Sequence, residues 1–578
     1  MTSCRRPTLS DRSTLCRRPI LCNRATPDGR PTPGGRPTLA ELVETIEGTW
    51  VDGGTWIDGR TWTANSPSAG RRGDSLDAAR AALVGPSAID SRTVRPGEIF
   101  WALRGTRHDG NEFAFDALRR GAAAAVVERL VEPAAPGAAV GSPPTADAHD
   151  LRDATASPLD RPLAARAEVP AALGPLVVVG DVPTALNRWA ARRRQSFNGL
   201  MIGITGSAGK TTTRAMIDHL LGSCAQGTAT PGNWNNELGV PLTLARLRPD
   251  DDYAVIEMGA RQPGDIAHLA ALVRPHWGVI TCIGEAHLES FGSREAIART
   301  KAELLAALPA DGLALLGDDD FLRRAGRHCR CPVILAGTSD DCRLRADRVE
   351  HRPGRLRFRL QGQRFDLPLW GEHHLTSALL AAGAAREFGL TWPEIASRLA
   401  EFRPVARRCE VFRHRGATII DDSYNSSPSA AAAALRLLGA VEPAERRIAI
   451  LGEMAELGDE APKQHWLLGQ TAVREGKIDL LIACGPSAAS TAAGACQAGL
   501  PQRQAIVCRS ADELLCYVPQ LARAGDAVLI KGSRIMAMDR VADALRAMLP
   551  AGGKRAQTDE TNPPCENCTL PTNEAHQP

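Results

Sequence analysis

Along most of the chain, short apolar runs of strand length alternate with longer stretches of helical period. The clearest runs are Leu200-Met201-Ile202, Tyr253-Ala254-Val255-Ile256, Trp277 to Ile283, Ala417 to Ile420, Arg447 to Leu451, Leu480 to Ala483 and Ala527 to Ile530. Continuous apolar runs separated by amphipathic helices predict parallel strands covered on both faces. Smaller units of the same kind precede them. Gly97 to Leu103 reads as a turn feeding a strand, Phe113 to Leu118 as a helix, Ala122 to Val127 and Leu176 to Val179 as strands, and Pro183 to Arg194 as a helix. The fold class expected is α/β, with a mostly parallel sheet in the centre and a doubly wound, Rossmann-like unit after it.

Breaks in this pattern set the expected boundaries. Residues 1–38 repeat an Arg-Pro-Thr flavour and residues 552–578 are polar and Pro-rich, so both read as disordered tails. The first of them could lie upstream of the true start, and a basic arm that touches nucleic acid is its alternative reading. Between them fall three units, 39–199, 200–403 and 404–551, the first carrying a loop insertion at about 131–175 with weak periodicity.

Composition narrows the function classes. The 578 residues exceed what one core supports. A net charge of +3 and an aromatic content of 4% favour neither nucleic acid nor an acidic membrane as partner. No run reaches the ~18 apolar residues of a spanning helix, and the first forty residues lack the apolar centre of a secretory signal. A soluble, cytoplasmic protein without membrane insertion is expected. Its 15 scattered cysteines read as reduced thiols, and Cys565-Glu566-Asn567-Cys568, without a second pair, is a poor structural zinc site.

Candidate chemistry begins at Gly203-Ile204-Thr205-Gly206-Ser207-Ala208-Gly209-Lys210-Thr211-Thr212, set between a predicted strand and a predicted helix. Glycines let backbone N–H groups turn onto phosphate oxygens, and the helix beginning near Lys210 aims its positive end at the same anion. Lys210 would add charge at the β/γ-phosphates and the Thr211 hydroxyl would ligate Mg²⁺. Isoleucine at 204, where the strict pattern has glycine, makes this a shortened variant, T-G-S-x-G-K-T. A surface turn that ends in Lys-Thr is the alternative.

An ordered set of motifs accompanies the cradle. Downstream lie Thr230, Asn233, Asn235-Asn236, Glu257-Met258-Gly259-Ala260, Ala286-His287-Leu288-Glu289 and Arg299-Thr300-Lys301-Ala302-Glu303. Asp421-Asp422-Ser423-Tyr424-Asn425, Gly452 to Gly458 with His465, and Lys531-Gly532-Ser533-Arg534 follow. Together they resemble the Mur ligase family, over roughly Ala88 to Leu549, and most closely its branch that adds D-alanyl-D-alanine. The resemblance implies a three-domain Mur ligase architecture: a UDP-substrate domain, a central P-loop ATPase domain and a C-terminal ligase domain.

It also implies ATP-driven amide formation. The γ-phosphoryl group passes to the terminal carboxylate of UDP-N-acetylmuramoyl-tripeptide, and the amine of D-Ala-D-Ala displaces phosphate from the acyl phosphate. Lys210, Glu257, His287 and Lys301 are the implied catalytic set, with Thr211, Glu257 and His287 on two Mg²⁺ ions. Lys301 matches a lysine typically carbamylated by CO₂, which requires a neutral amine; a helix-surface lysine is its alternative. Gly206 to Thr212, Asn236, His374, Arg408, Asp422 and Asn425 would contact the nucleotide. Ser91, Arg92 and the turn Arg104 to Gly110 would hold the UDP end, and Asn235, Lys531, Ser533 and Arg534 the remaining substrate groups.

Two departures from the family pattern stand out: Gly371-Glu372-His373-His374-Leu375-Thr376-Ser377 has histidine and serine where both asparagines are usual, and Arg407 replaces a glycine. Altered nucleotide affinity is the expected effect of the first. A monomer is expected. The rival readings are the ligase that adds the third peptide residue, folylpolyglutamate synthase, and a nucleotide-binding sensor without catalysis.

Overall fold

A computed structural model describes residues 37–51, 54–57, 61–64, 85–105, 108–130, 168–169, 175–352 and 354–547. Residues 1–36 of the first expected tail, the whole of the second, most of the expected insertion, the Thr106-Arg107 pair and the Cys565–Cys568 pair lie outside these residues, while Thr38, expected in the tail, caps the helix Leu39–Thr45. Of the insertion, Glu168–Val169 is described as a short strand paired antiparallel with Gly54–Ile57.

The central sheet has nine strands in the order Gly227–Ala229, Tyr253–Glu257, Leu200–Thr205, Trp277–Ile280, Leu313–Gly317, Val333–Gly337, Leu344–Arg352, Arg355–Leu360 and Gln363–Leu367. Pairing is parallel as far as Leu344–Arg352 and antiparallel beyond it. Every residue of Leu200–Thr205 and of Tyr253–Glu257 is buried, because helices cover both faces. One face packs Ile202 and Ile204 against Met216, Ile217 and Leu379; the other packs Met201 and Ile256 against Leu269 and Leu304. That two-sided burial is why the sequence shows unbroken apolar runs here.

The chain leaves Leu200–Thr205 toward Tyr253–Glu257 on one side and returns to Trp277–Ile280 on the other. A switch of this kind opens a crevice at the carboxyl ends of the strands. Trp277–Ile280 is three residues shorter than the apolar run predicts, because Thr281 turns away to bond the loop after Leu200–Thr205.

The hairpin from Leu344 to Leu367 is a feature the apolar runs did not announce. Its stacked Phe358 and Phe365 rings, 4.9 Å apart, face the core, while Arg357 pairs with Asp366 at 3.0 Å and Arg359 with Asp347 at 2.8 Å on the other face.

The third sheet runs Glu410–His414, Ala417–Asp422, Asp526–Lys531, Arg446–Gly452, Leu480–Cys484, Ala505–Cys508, parallel except at its first pair. Its register sets Asp422 beside Lys531 and Lys531 beside Leu451 at the carboxyl ends. The N-terminal sheet has five strands, Thr49–Val51, Leu176–Val178, Ala124–Val127, Ile99–Trp101 and Ser87–Ala88, parallel except for the first. Among the described residues, no helix is long and apolar enough to cross a membrane.

Two buried arginines on the helix Val182–Gln195 fasten the N-terminal sheet to the central one. Arg193 donates to the carbonyl of Leu247. Arg194 donates to the carbonyls of Val273 at 2.6 Å, Arg274 at 2.7 Å and Phe197 at 3.3 Å, which closes the end of the helix Asp265–Val273. Burial holds the Arg194 guanidinium down to about 10, still charged at neutral pH. Arg194→Met keeps the stem and removes the donors. It should cost about 2–3 kcal/mol through carbonyls left without partners, read as a lower urea midpoint; an unchanged midpoint would show that the junction does not depend on them.

Candidate active site

At the carboxyl end of Leu200–Thr205 the backbone turns through Gly206 at φ 143° and Gly209 at φ 79°. A Cβ on Gly206 would fall 1.9 Å from the Thr281 hydroxyl, so only glycine lets the loop lie this close to the neighbouring strand. Ser207 N–H donates to the Cys282 carbonyl at 3.0 Å, and the Thr281 hydroxyl donates to the Ala208 carbonyl. The helix Lys210–Leu221 starts from this loop with no side-chain cap. Its first N–H groups therefore face the crevice as an anion site. Lys210 folds back over the loop, Nζ donating to the Gly206 carbonyl at 2.7 Å. Burial pushes the Lys210 ammonium below its ordinary value, and Glu257 opposes the shift.

Glu257 ends the adjacent strand and is 1% exposed. Its Oε1 accepts from Asn235 Nδ2 at 2.8 Å. Its Oε2 is buried without a hydrogen bond, with Arg214 Nε 3.7 Å away and likewise unbonded. A buried carboxylate oxygen left open in a cavity that the Thr211 hydroxyl also lines is the donor chemistry a hard divalent cation takes, so the residue types fit Mg²⁺. His287, in the left-handed region at φ 62°, meets the carboxylate of Glu456 from the third sheet. Lys301, on the helix Arg294–Ala306, is 3% exposed, and its Nζ has no hydrogen-bond partner among the described residues; the ring of Phe291 lies 5.9 Å away. Burial, and after it the Lys210 ammonium, push Lys301 down to about 7.

The third sheet's loops cover this crevice. Arg408 Nη2 donates to Thr211 Oγ1 at 3.1 Å, and its guanidinium lies 4.0 Å from the centre of the Tyr424 ring. Glu289 N–H donates to the Glu456 carbonyl at 3.1 Å. Ser533 N–H donates to Glu453 O and its hydroxyl accepts from Ala455 N–H, both at 2.9 Å, which stitches the loop after Asp526–Lys531 to the loop of Glu453–Gly458. The cavity between the central and third sheets, open on one side, is about 760 Å³.

Of the residues singled out in the sequence, Gly206 to Thr211, Asn235, Asn236, Glu257, His287, Lys301, Arg408, Asn425, Ser533 and Arg534 line this cavity. Thr212 is buried in the helix behind it. Asp422 and Lys531 stand back from it as a buried ion pair: Lys531 Nζ donates to Asp422 Oδ2 and to the Asn425 carbonyl, while Asp422 Oδ1 accepts from Cys409 N–H at 3.2 Å. His374 is buried beside His373, outside the cavity wall. Ser91 is buried in the turn after the strand Ser87–Ala88, and Arg92 pairs with Asp90 at 2.7 Å. The sequence reading missed Arg214, whose only signal was its place one helical turn after Lys210; Tyr424 was named within its motif without a role, and no local pattern reveals its stacking on Arg408.

Three domain profiles of one family match consecutive parts of the chain: "Mur ligase family, catalytic domain" over 87–194, "Mur ligase middle domain" over 204–385 and "Mur ligase, glutamate ligase domain" over 407–534. A Mycobacterium tuberculosis protein named UDP-N-acetylmuramoyl-tripeptide--D-alanyl-D-alanine ligase is 34% identical over 507 residues, covering 83% of this chain and 95% of that protein. The chain belongs to the Mur ligase family. Among solved structures, MurF from Acinetobacter baumannii superposes on this Mur ligase with a TM-score of 0.66 at 26% identity, covering 88% of this chain and 98% of that one. MurF from Thermotoga maritima, solved with ADP, superposes at 0.62 and 26% identity over 80% and 97%. The mixed α/β, three-domain architecture is therefore that of the family.

The Lys301 environment is directly measurable. Reductive methylation with labelled formaldehyde should give one lysine signal, absent from Lys301→Gln, that titrates near pH 7. A signal that stays charged to pH 10 would contradict the burial described.

Proposed function

We propose that this Mur ligase joins D-alanyl-D-alanine to UDP-N-acetylmuramoyl-tripeptide at the expense of ATP, as a cytoplasmic monomer in peptidoglycan precursor synthesis. The observation that carries the reading is the shared cavity: the phosphate-type cradle, Glu257 and Lys301 of the second domain line one crevice with Asn425, Ser533 and Arg534 of the third. Relatives that the chain matches nearly end to end carry the name of this activity.

The chemistry asked of the residues follows from the substrate. A carboxylate is a poor electrophile, and phosphorylation supplies both electrophilicity and a leaving group. The first N–H groups of Lys210–Leu221 and the Lys210 ammonium would hold the β/γ-phosphates, with Arg408 reaching the same place from the third domain. These cations stand where charge grows as the γ-phosphoryl group passes to the tripeptide carboxylate. Thr211, Glu257 and His287 would hold Mg²⁺, which supplies charge neutralisation at the transferring phosphoryl group.

Lys301 takes part as the carbamate. With its amine held down to about 7, the neutral form that attacks CO₂ predominates above that pH and is lost below it. The carbamate would replace a buried cation by an anion beside the metal ligands. Ser533 and Arg534 would meet the D-Ala-D-Ala carboxylate, and Ser91 and Arg92 the UDP end. The seating of Arg408 and Glu456 on the second domain keeps bulk water from the acyl phosphate.

Phosphate release from ATP should require both UDP-N-acetylmuramoyl-tripeptide and D-Ala-D-Ala. Diaminopimelate with the dipeptide precursor, or glutamate with folate, should not support it. Turnover on either of those instead, or ATP binding without turnover on any, would replace the reading by one of its rivals. Lys210→Ala and Glu257→Gln should each lower kcat by roughly 10²–10³. Intact-mass measurement in bicarbonate should find one added CO₂ at pH 8, absent at pH 6 and in Lys301→Gln. No added CO₂ at pH 8 would remove the carbamate from the mechanism.

A further inference from the structure

His373, His374 and Cys409 form a cluster that the ligase chemistry does not use. Their ligand atoms all lie within 4.8 Å of one another. The two imidazoles are 4.1 Å apart between centres, inclined at 44°. His373 and His374 begin the helix Leu375 continues to Phe388, the last long helix against the central sheet, whereas Cys409 stands at the first strand of the third sheet. His374 is 4% exposed and Cys409 is 3% exposed, and His374 Nε2 is buried with no hydrogen-bond partner among the described residues. A buried ring nitrogen without a partner costs free energy unless something occupies it.

We propose that His373, His374 and Cys409 bind a thiophilic divalent cation of the zinc class, which ties the second domain to the third. Two imidazoles and a thiolate are a borderline-soft donor set that suits Zn²⁺ or Co²⁺ and disfavours Mg²⁺. Water would complete four-coordination. On binding, the bond to Cys409 Sγ forms as the thiol proton passes to solvent, so one proton is released per ion.

Most neighbouring charge is compensated: Asp422 is paired with Lys531, Arg436 with Glu475 and His351 with Glu372, and Arg408 is a further cation near Cys409. The thiolate supplies negative charge at the N-terminal end of the helix, where it is favoured. Asp422 Oδ1 accepts from the Cys409 N–H at 3.2 Å, which holds the backbone that carries the thiol. Occupancy ties up the imidazole of His374. If His374 contacts the nucleotide, as the reading above has it, the ion should therefore raise the KM for ATP; metal binding itself does not rest on that reading.

The full-length, metal-stripped chain is titrated with Zn²⁺ against a chromophoric chelator and separately with Co²⁺, without substrates. Because the chain holds other cysteines, the readout is the difference between native chain and variants. The native chain should bind one more Zn²⁺ than Cys409→Ala. Its Co²⁺ form should show a thiolate-to-metal charge-transfer band that Cys409→Ala lacks. His373 is exposed and its loss should not disturb folding, so His373→Ala should weaken binding by about tenfold or more. Should Cys409→Ala fail to fold, His373→Ala decides. Equal stoichiometry and an unchanged cobalt spectrum in the variants that fold would overturn the proposal, whatever the ligase assays show.

Discussion

The site depends on keeping several cations out of water around one carboxylate. Lys210, Arg214 and Lys301 are each held below their ordinary values by burial; Glu257 opposes the shift at Lys210 and Arg214, while the Lys210 ammonium adds to it at Lys301. A lone buried charge would cost several kcal/mol, and like charges add to it. Such an arrangement is tolerable in a fold whose other elements are rigid, and the two-sided apolar cover of Leu200–Thr205 and Tyr253–Glu257 supplies that rigidity. The strain is relieved when anions enter, which makes the empty crevice complementary to phosphate and carboxylate groups.

The same demand explains why the central carboxylate sits at a strand end. Glu257 is fixed by the ladder through Ile256, and the Thr230 hydroxyl accepts from its N–H at 2.9 Å. Lys301 is on a helix, but on the face packed under the strands, where neighbouring Leu304 belongs to the core. Burial thus decides its protonation more than any single neighbouring charge does.

How much of this was legible in the sequence varied by residue. The strand, loop and helix around Gly206 were plain, since continuous apolar residues followed by Gly-x-x-Gly-Lys have few structural solutions. Glu257 and His287 were legible because each follows a buried run. Asp422 and Lys531 read as site residues but pair with each other, a fact set by the register of two strands more than 100 residues apart in sequence. The hairpin of Leu344 to Leu367 was hidden because its alternating arginines look like a solvated loop until the Phe358–Phe365 stack is seen from the core side.

That hairpin also bears on how the molecule meets its neighbours. A sheet of nine strands must end somewhere, and an unpaired strand invites another chain to extend the ladder. Here the last strand, Gln363–Leu367, presents Arg364 and Asp366 beside the guanidinium groups of Arg355 and Arg357. A strand arriving from outside would meet a charged border at the far end of the sheet, while the catalytic crevice lies among strands that are already paired on both sides. The cost of joining edge to edge therefore falls where it leaves the chemistry untouched, and the hairpin acts as a selvage for the fold.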